Sequence, residues 1–178
     1  TIENNLIKLT IANKGGYISE AILKNYKKFE KNSGQLVELI KNNNANFNLE
    51  LQTKDNRVLN TKDLFFEPTL TKNGEDQILS MKLKAGPNEF LEYKYVLKAK
   101  DYMLDFDVRS QGLNKVLNTS KTADLQWDFK TYRNEKSVAY ENQYTELYFE
   151  NDEKVDYLGR GKQEDETLEK ATFIAYKQ

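Results

Sequence analysis

The sequence predicts an all-β domain, a sandwich or barrel of antiparallel strands, and three observations predict it. Apolar and polar residues alternate with period two in run after run, the pattern of strands with one buried and one wetted face. Turn residues punctuate the runs at short spacing. The 178-residue chain has only two prolines and no Ser/Gly-rich tract that would read as a linker between domains, so one core accounts for its length.

The runs follow one another along the chain. Ile7, Leu9 and Ile11 share a face opposite Lys8 and Thr10. Phe47, Leu49 and Leu51 alternate with Asn48, Glu50 and Gln52, and Leu79, Met81 and Leu83 with Ser80, Lys82 and Lys84. Leu91, Tyr93, Tyr95 and Leu97 oppose Glu92, Lys94 and Lys98; Tyr102, Leu104, Phe106 and Val108 oppose Asp105, Asp107 and Arg109. Leu125, Trp127 and Phe129 alternate with Gln126, Asp128 and Lys130, and Thr172, Ile174 and Tyr176 with Phe173 and Ala175. Between them lie Lys14-Gly15-Gly16, Asn32-Ser33-Gly34, Lys54-Asp55-Asn56, Lys72-Asn73-Gly74, Gly86-Pro87-Asn88 and Gln111-Gly112, all turn formers. Two stretches fit a short helix. Gln35 to Lys41 fits either a helix or a strand, and Gln163 to Lys170 is a charged run with Leu168 as its apolar member.

Composition narrows the function. Eleven Tyr, nine Phe and Trp127 supply a core despite 31% charged residues and a mean hydropathy of -0.81. Lys plus Arg (27) nearly equals Asp plus Glu (28), so no long-range field collects phosphates and nucleic acid is not the expected partner. There is no cysteine, which removes thiolate chemistry and disulfides and leaves the compartment open. There is also no histidine, the usual neutral-pH base and transition-metal ligand. Ser-His-Asp chemistry and His-based zinc sites are excluded; carboxylate-only and lysine-based mechanisms are not. No stretch reaches the roughly 20 apolar residues of a membrane-spanning helix. The start at Thr1 suggests a fragment of a longer protein.

Each candidate for chemistry has a plainer explanation. Asp105 and Asp107 share a strand face and would suit calcium or a shared proton, but Arg109 follows on that face, as on a solvated strand. Glu164-Asp165-Glu166 lacks the spacing and central glycine of a calcium loop. Gly15-Gly16 lacks the further glycines and Lys-Ser/Thr pair of a phosphate cradle and reads as a tight hairpin turn. Gly159-Arg160-Gly161-Lys162 reads as a flexible basic loop. Lys24, Lys27, Lys28 and Lys31 around Tyr26 and Phe29 would suit anionic headgroups, each lysine adding about 1 kcal/mol; a charged loop beside an edge strand is favoured. Tyr140, Tyr144, Tyr148 and Tyr157 would line a sugar or peptide groove, although packing explains them better. Asn118-Thr119-Ser120 matches a glycosylation acceptor, a tripeptide common by chance. No residue is assigned a catalytic, cofactor-binding or metal-binding role, and the binding residues are left unassigned.

Three segments carry a resemblance. The opening LTIANKGGYISEAILKNY, Leu9 to Tyr26, resembles the start of the periplasmic domain of the YidC membrane protein insertase family. There a strand, a Gly-Gly turn and a second strand end in a Leu-x-x-Tyr-like element, here Leu23 to Tyr26. YKYVLKAKDYMLDFDV, Tyr93 to Val108, is similar to a hairpin of that family, and the closing TLEKATFIAYKQ to the segment preceding its interfacial helix. The resemblance implies a β-super-sandwich of two large antiparallel sheets, similar to galactose mutarotase and carbohydrate-binding folds, with at most one or two short helices. It implies one periplasmic β-sandwich domain over residues 1–178, tethered to the inner membrane by segments outside this sequence. The implied role is accessory and non-enzymatic: docking to SecDF and the Sec translocon and aiding insertion and folding of membrane-protein substrates, with no cofactor. Mutarotase-type catalysis resembles a histidine-carboxylate mechanism, which this chain cannot run. A non-catalytic carbohydrate- or peptide-binding module of the cell envelope is the alternative.

Overall fold

The computed structural model describes residues 1–30, 34–151, 153–159 and 173–177. The chain divides into two compact units, one made of residues 1–27 and 35–132, the other of 28–34 and 133–178. In the first unit, β1 (Ile2–Glu3), β2 (Ile7–Ile11), β3 (Ile18–Lys27) and β4 (Leu36–Ile40) form a sheet in sequence order. β5 (Ala45–Gln52) and β6 (Val58–Asn60) begin a second sheet. β7 (Glu67–Asn73), β8 (Asp76–Gly86), β9 (Glu89–Leu97) and β10 (Leu104–Gln111) make a third, a four-stranded meander. β11 (Asp124–Phe129) then returns to pair with β5, giving the order β11-β5-β6. The second unit holds a helix, α1 (Val138–Tyr144), and the strands β12 (Glu146–Asn151), β13 (Lys154–Gly159) and β14 (Phe173–Lys177), ordered β13-β12-β14.

The chain is thus all-β and antiparallel throughout its described pairings. Its strands are distributed over four sheets, of which three close around one core in the manner of a sandwich. Most of the alternating runs read from the sequence fall on strands, and in four of them the apolar members point inward: Ile7, Leu9 and Ile11 from β2, Leu49 and Leu51 from β5, Leu79 and Met81 from β8, and Leu91, Tyr93, Tyr95 and Leu97 from β9 are all buried. Burying each such side chain contributes about 1.5–3 kcal/mol. In β10, β11 and β14, by contrast, Val108, Leu125, Trp127 and Ile174 stay exposed. The stretch from Gln35 to Lys41 is strand rather than helix. Val37 pairs with Leu23 and Glu38 with Ile22 on the β3 edge, so the backbone finds its partners in the sheet.

An aromatic cluster joins the layers. Phe66 stacks on Tyr93 at 4.7 Å, Phe47 of β5 meets Tyr93 edge-on at 5.7 Å, and Phe106 of β10 stacks on Tyr95 at 4.8 Å. The Tyr95 hydroxyl donates to the Gly16 carbonyl at 2.7 Å, tying the meander to the β2–β3 connection. That connection is wider than the tight turn expected. It spans residues 12–17, closed by Ala12 N–H to the Tyr17 carbonyl at 2.9 Å, and is held to the next segment by Gly15 N–H to Leu64 O at 2.8 Å and Phe66 N–H to Asn13 O at 2.8 Å.

Two asparagines and a glutamine complete the assembly. Asn4 Nδ2 donates to the carbonyls of Lys98 and Asp101, both at 2.7 Å, while its Oδ1 accepts from Leu6 and Ile7 N–H. It clamps the β1–β2 turn to the β9–β10 turn. Gln77 Nε2 donates to the Glu3 carbonyl at 2.7 Å, and Glu3 N–H returns a bond to Gln77 Oε1 at 3.1 Å. This side-chain amide continues the pairing that β1 and β8 do not make themselves. Asn48, only 3% exposed, donates to Asn60 and Gln126 and accepts from Lys62 N–H, linking all three strands of its sheet.

Candidate functional site

The acids singled out by the sequence are surface groups. Asp105 and Asp107 are exposed. Asp105 pairs with Lys98 at 3.1 Å, and the Asp105 hydrogen bond and charge raise the Lys98 ammonium above its usual range. No group of three or more acidic, Cys or His side chains able to hold a metal ion occurs among the described residues. Lys24 of the basic run is engaged by Glu3 at 2.7 Å and the Asn4 carbonyl at 2.6 Å. Tyr26 meets Tyr102 edge-on at 6.1 Å, and Arg133 lies over the Phe29 ring at 4.4 Å. The four tyrosines form two pairs, Tyr140 with Tyr144 at 4.8 Å on α1 and Tyr148 with Tyr157 at 5.5 Å across β12 and β13. The Tyr148 hydroxyl bonds Glu146, which raises it above the usual phenol range. Asn118 Oδ1 accepts from Ser120 Oγ at 2.6 Å, a local turn. Glu164-Asp165-Glu166, residues 160–162 of the glycine-rich basic loop, the Gln163–Lys170 stretch, Lys31, Asn32-Ser33 and Thr172 lie outside the described residues.

The structure also holds a buried carboxylate that alternation did not distinguish from its solvated neighbours. Glu92 is 3% exposed on the outer face of the meander. Across the strands it belongs to the row Glu67, Lys82, Glu92, Arg109, alternating in sign. It bonds Ser80 Oγ and Arg109 Nε, with Lys82 Nζ 4.0 Å away. The Phe90 ring covers the site, with Lys82 Nζ 4.3 Å from its centroid. Burial pushes the Glu92 carboxyl up, but the Ser80 and Arg109 hydrogen bonds and the Arg109 and Lys82 charges together outweigh it and hold it below its ordinary range. A depressed folded-state pKa adds stability above the unfolded value, lost as pH falls through the folded one. Glu92→Gln is therefore expected to cost about 1–2 kcal/mol at pH 7, less than a fully buried pair because Arg109 is largely exposed. It should also flatten the stability profile below the ordinary glutamate value of 4.5. Urea titrations from pH 3 to 7 measure both; parallel wild-type and variant profiles would refute the assignment.

The surface feature most unlike an ordinary solvated face is a seam on the first unit. β10 and β11 are each the last strand of their sheet among the described residues. On β10, Val108 sits at the register position of Tyr93 and so faces the core side, yet it is 42% exposed. On β11, Leu125 and Trp127 pair with Leu49 and Phe47 and face the same interior, yet they are 50% and 42% exposed. The Phe106 ring of β10 meets Phe47 of β5 at 5.4 Å, and Phe47 pairs directly with Trp127, so β10 lies against the inner neighbour of β11. The outward positions of these strands hold Asp105, Asp107, Asp124 and Asp128 against Arg109. Arg109 is held by Glu92 and Asp105 by Lys98; Asp107, Asp124 and Asp128 have no ion-pair partner among the described residues. Beside β11 lies a polar pocket of about 220 Å³ lined by Glu50, Gln52, Val58, Lys121, Thr122 and Asp124. The sequence did contain a signal for the seam: two apolar edge-strand runs with aspartate at four of their seven outward positions.

Antiparallel sheets closed around one apolar core place the chain in the class of all-β, sandwich-like domains. The comparisons agree in family. A family model described as the YidC periplasmic domain matches residues 1–178, and the chain belongs to that family. It is 37% identical to a protein of Porphyromonas gingivalis named membrane protein insertase YidC, over 94% of this chain and 26% of that protein. It is 35% identical to the insertase so named in Parabacteroides distasonis, over 99% of this chain and 28% of that protein. With the protein of that name from Cytophaga hutchinsonii it shares 28% identity, again over 99% of this chain and 28% of the relative. The chain thus spans little more than a quarter of the length of these relatives. No solved structure matches it significantly. No helix among the described residues is long and apolar enough to cross a membrane.

Proposed function

We propose that this chain is the periplasmic, non-enzymatic accessory domain of an inner-membrane protein insertase, and that it docks partners beside the site of insertion. SecDF, the Sec translocon and exposed loops of membrane-protein substrates are the partners this reading names. The domain would be tethered through segments outside the sequence and would work by surface complementarity. The observation that carries the reading is the open seam between β10 and β11. Soluble domains seldom leave core-side apolar residues half exposed on two neighbouring edges unless something covers them. The missing histidine supports a role without proton transfer near neutrality.

The direct test is co-purification of the full-length insertase with SecDF, with and without residues 1–178. Loss of SecDF from the deleted form, with the membrane-embedded remainder still expressed, is the expected result. Equal recovery from both forms refutes docking through this domain.

A further inference from the structure

We infer that the seam between β10 and β11 takes an extended segment of another protein whose apolar side chains alternate with lysine or arginine, added as a strand to the exposed β11 edge. The inference rests on the docking reading and supplies the partner's chemistry. An edge strand with free N–H and C=O groups pairs with any extended backbone, and side-chain pockets at alternate positions then select the sequence. Here the alternate positions differ sharply. Leu125 and Trp127 on one side, with Val108 across the seam, offer apolar contact at the core-side register. On the other side Asp124 and Asp128 of β11, with Asp107 of β10, make no ion pair among the described residues; Lys121 lines the same pocket as Asp124, and Lys94 stands opposite Asp107 in register. A strand laid on this edge with its apolar residues turned inward must present every second residue to those aspartates. Basic residues there gain attraction, and acidic ones meet like charge, which destabilises cross-strand neighbours.

The same charges argue against a second copy of this chain. Pairing β11 with β11, or β10 with β11, would set aspartates against aspartates. Edges of this kind are protected from self-association by such charges, so the acids that repel a second copy select a cationic partner. The opposite edge of the meander provides an internal control. β7 also leaves an apolar residue open, Leu70 at 50% exposure, but its outer row is balanced by the Lys84–Glu67 pair at 2.5 Å.

Trp127 is the only tryptophan in the chain, so its emission reports on the seam directly. The test titrates the 178-residue chain with a capped heptapeptide alternating lysine and valine, following Trp127 emission and the anisotropy of labelled peptide. Saturable binding with a blue shift is expected, weakened at least tenfold between 50 and 500 mM salt, on the scale set by screening of exposed charges. The glutamate-valine counterpart, and a lysine-valine peptide N-methylated at alternate amides, should not bind. The triple change Asp107→Asn, Asp124→Asn and Asp128→Asn should weaken binding at least tenfold, and Leu70→Glu should leave it unchanged. If the triple variant does not fold by circular dichroism, Asp128→Asn alone is expected to weaken binding two- to threefold. No saturable shift, equal binding of the acidic peptide, or indifference to the aspartate changes overturns the proposal. A shift that follows protein concentration alone, with dimer mass in sedimentation, overturns it in favour of a second copy. Should SecDF be lost on deletion while the peptide fails to bind, docking stands on another surface and only the seam assignment falls.

Discussion

Tyr93→Ala is expected to destabilise the first unit by about 4 kcal/mol, the scale for removing a large buried aromatic ring. Tyr93 is fully buried and stands at the centre of the aromatic cluster. Phe66 stacks on it, Phe47 meets it edge-on from the neighbouring sheet, and Phe106 lies 5.5 Å away on β10. Alanine would leave those three rings without their common partner, and the surrounding strands are fixed by pairing on both sides of β9, so collapse into the gap is limited. At about 2–4 °C per kcal/mol for a chain of this size, the melting temperature should fall by roughly 8–16 °C. Burial pushes the Tyr93 hydroxyl up to about 12, with Thr61 opposing, and its oxygen makes no hydrogen bond of acceptable geometry among the described residues. Tyr93→Phe should therefore stay within about 1 kcal/mol of the native protein. Thermal and urea unfolding followed by circular dichroism separates the two variants. Similar losses for both would show that the ring packing is not what holds the layers together.

That contrast explains what could be read from the sequence. The period-two runs located strands because burial on one face is a local demand on the chain, visible wherever polar residues fill the other face. Tyr93 to Val108 read as a hairpin and is one, with Leu97 opposite Leu104 and Tyr93 opposite Val108. The partition into sheets was not visible, because β11 returns to β5 across some seventy residues of chain, and no local pattern encodes that pairing. The helix α1 falls outside the two stretches that fit a helix, because its tyrosines read equally as a groove lining or as packing. Its signal was Ser137, whose hydroxyl caps Tyr140 N–H at 3.2 Å.

The candidate site was half legible for a related reason. Asp105, Asp107, Leu125 and Trp127 could all be placed on strand faces, but whether a face is covered depends on which strand ends its sheet. Val108 and Tyr95 occupy equivalent positions in their runs. Tyr95, on the inner strand β9, is 4% exposed, whereas Val108, on the edge, is 42% exposed. Glu92 shows the converse. Its alternation is that of a solvated residue, yet neighbours on β8 and β10 and the Phe90 ring enclose it. Edges open what the pattern says is buried, and central strands enclose what it says is free.

Gly16→Ala is the second large effect, about 2–5 kcal/mol, and its cause is separable into two parts. Gly16 has φ +67, a left-handed conformation that costs a residue with a side chain about 1–2 kcal/mol. A methyl group there would also lie 3.0 Å from Tyr93 Cδ2 and 3.1 Å from Phe66 Cγ, both in buried rings that stack on each other. Those rings cannot yield without disturbing the cluster, and overpacking of this kind adds about 1–3 kcal/mol. The Gly16 carbonyl also accepts the Tyr95 hydroxyl, so a shift of this backbone loosens the tie between two sheets. Gly74 has nearly the same φ, +63, with nothing within 4 Å of the position a methyl would take. Gly74→Ala therefore carries the conformational cost alone, about 1–2 kcal/mol. Urea midpoints of the two variants measure the difference directly. A Gly16 loss at least 1 kcal/mol greater is expected from contact with the rings; equal losses would mean that this glycine is required only for its backbone angle, and that the β2–β3 connection does not pack on the core in the way that orders the sandwich.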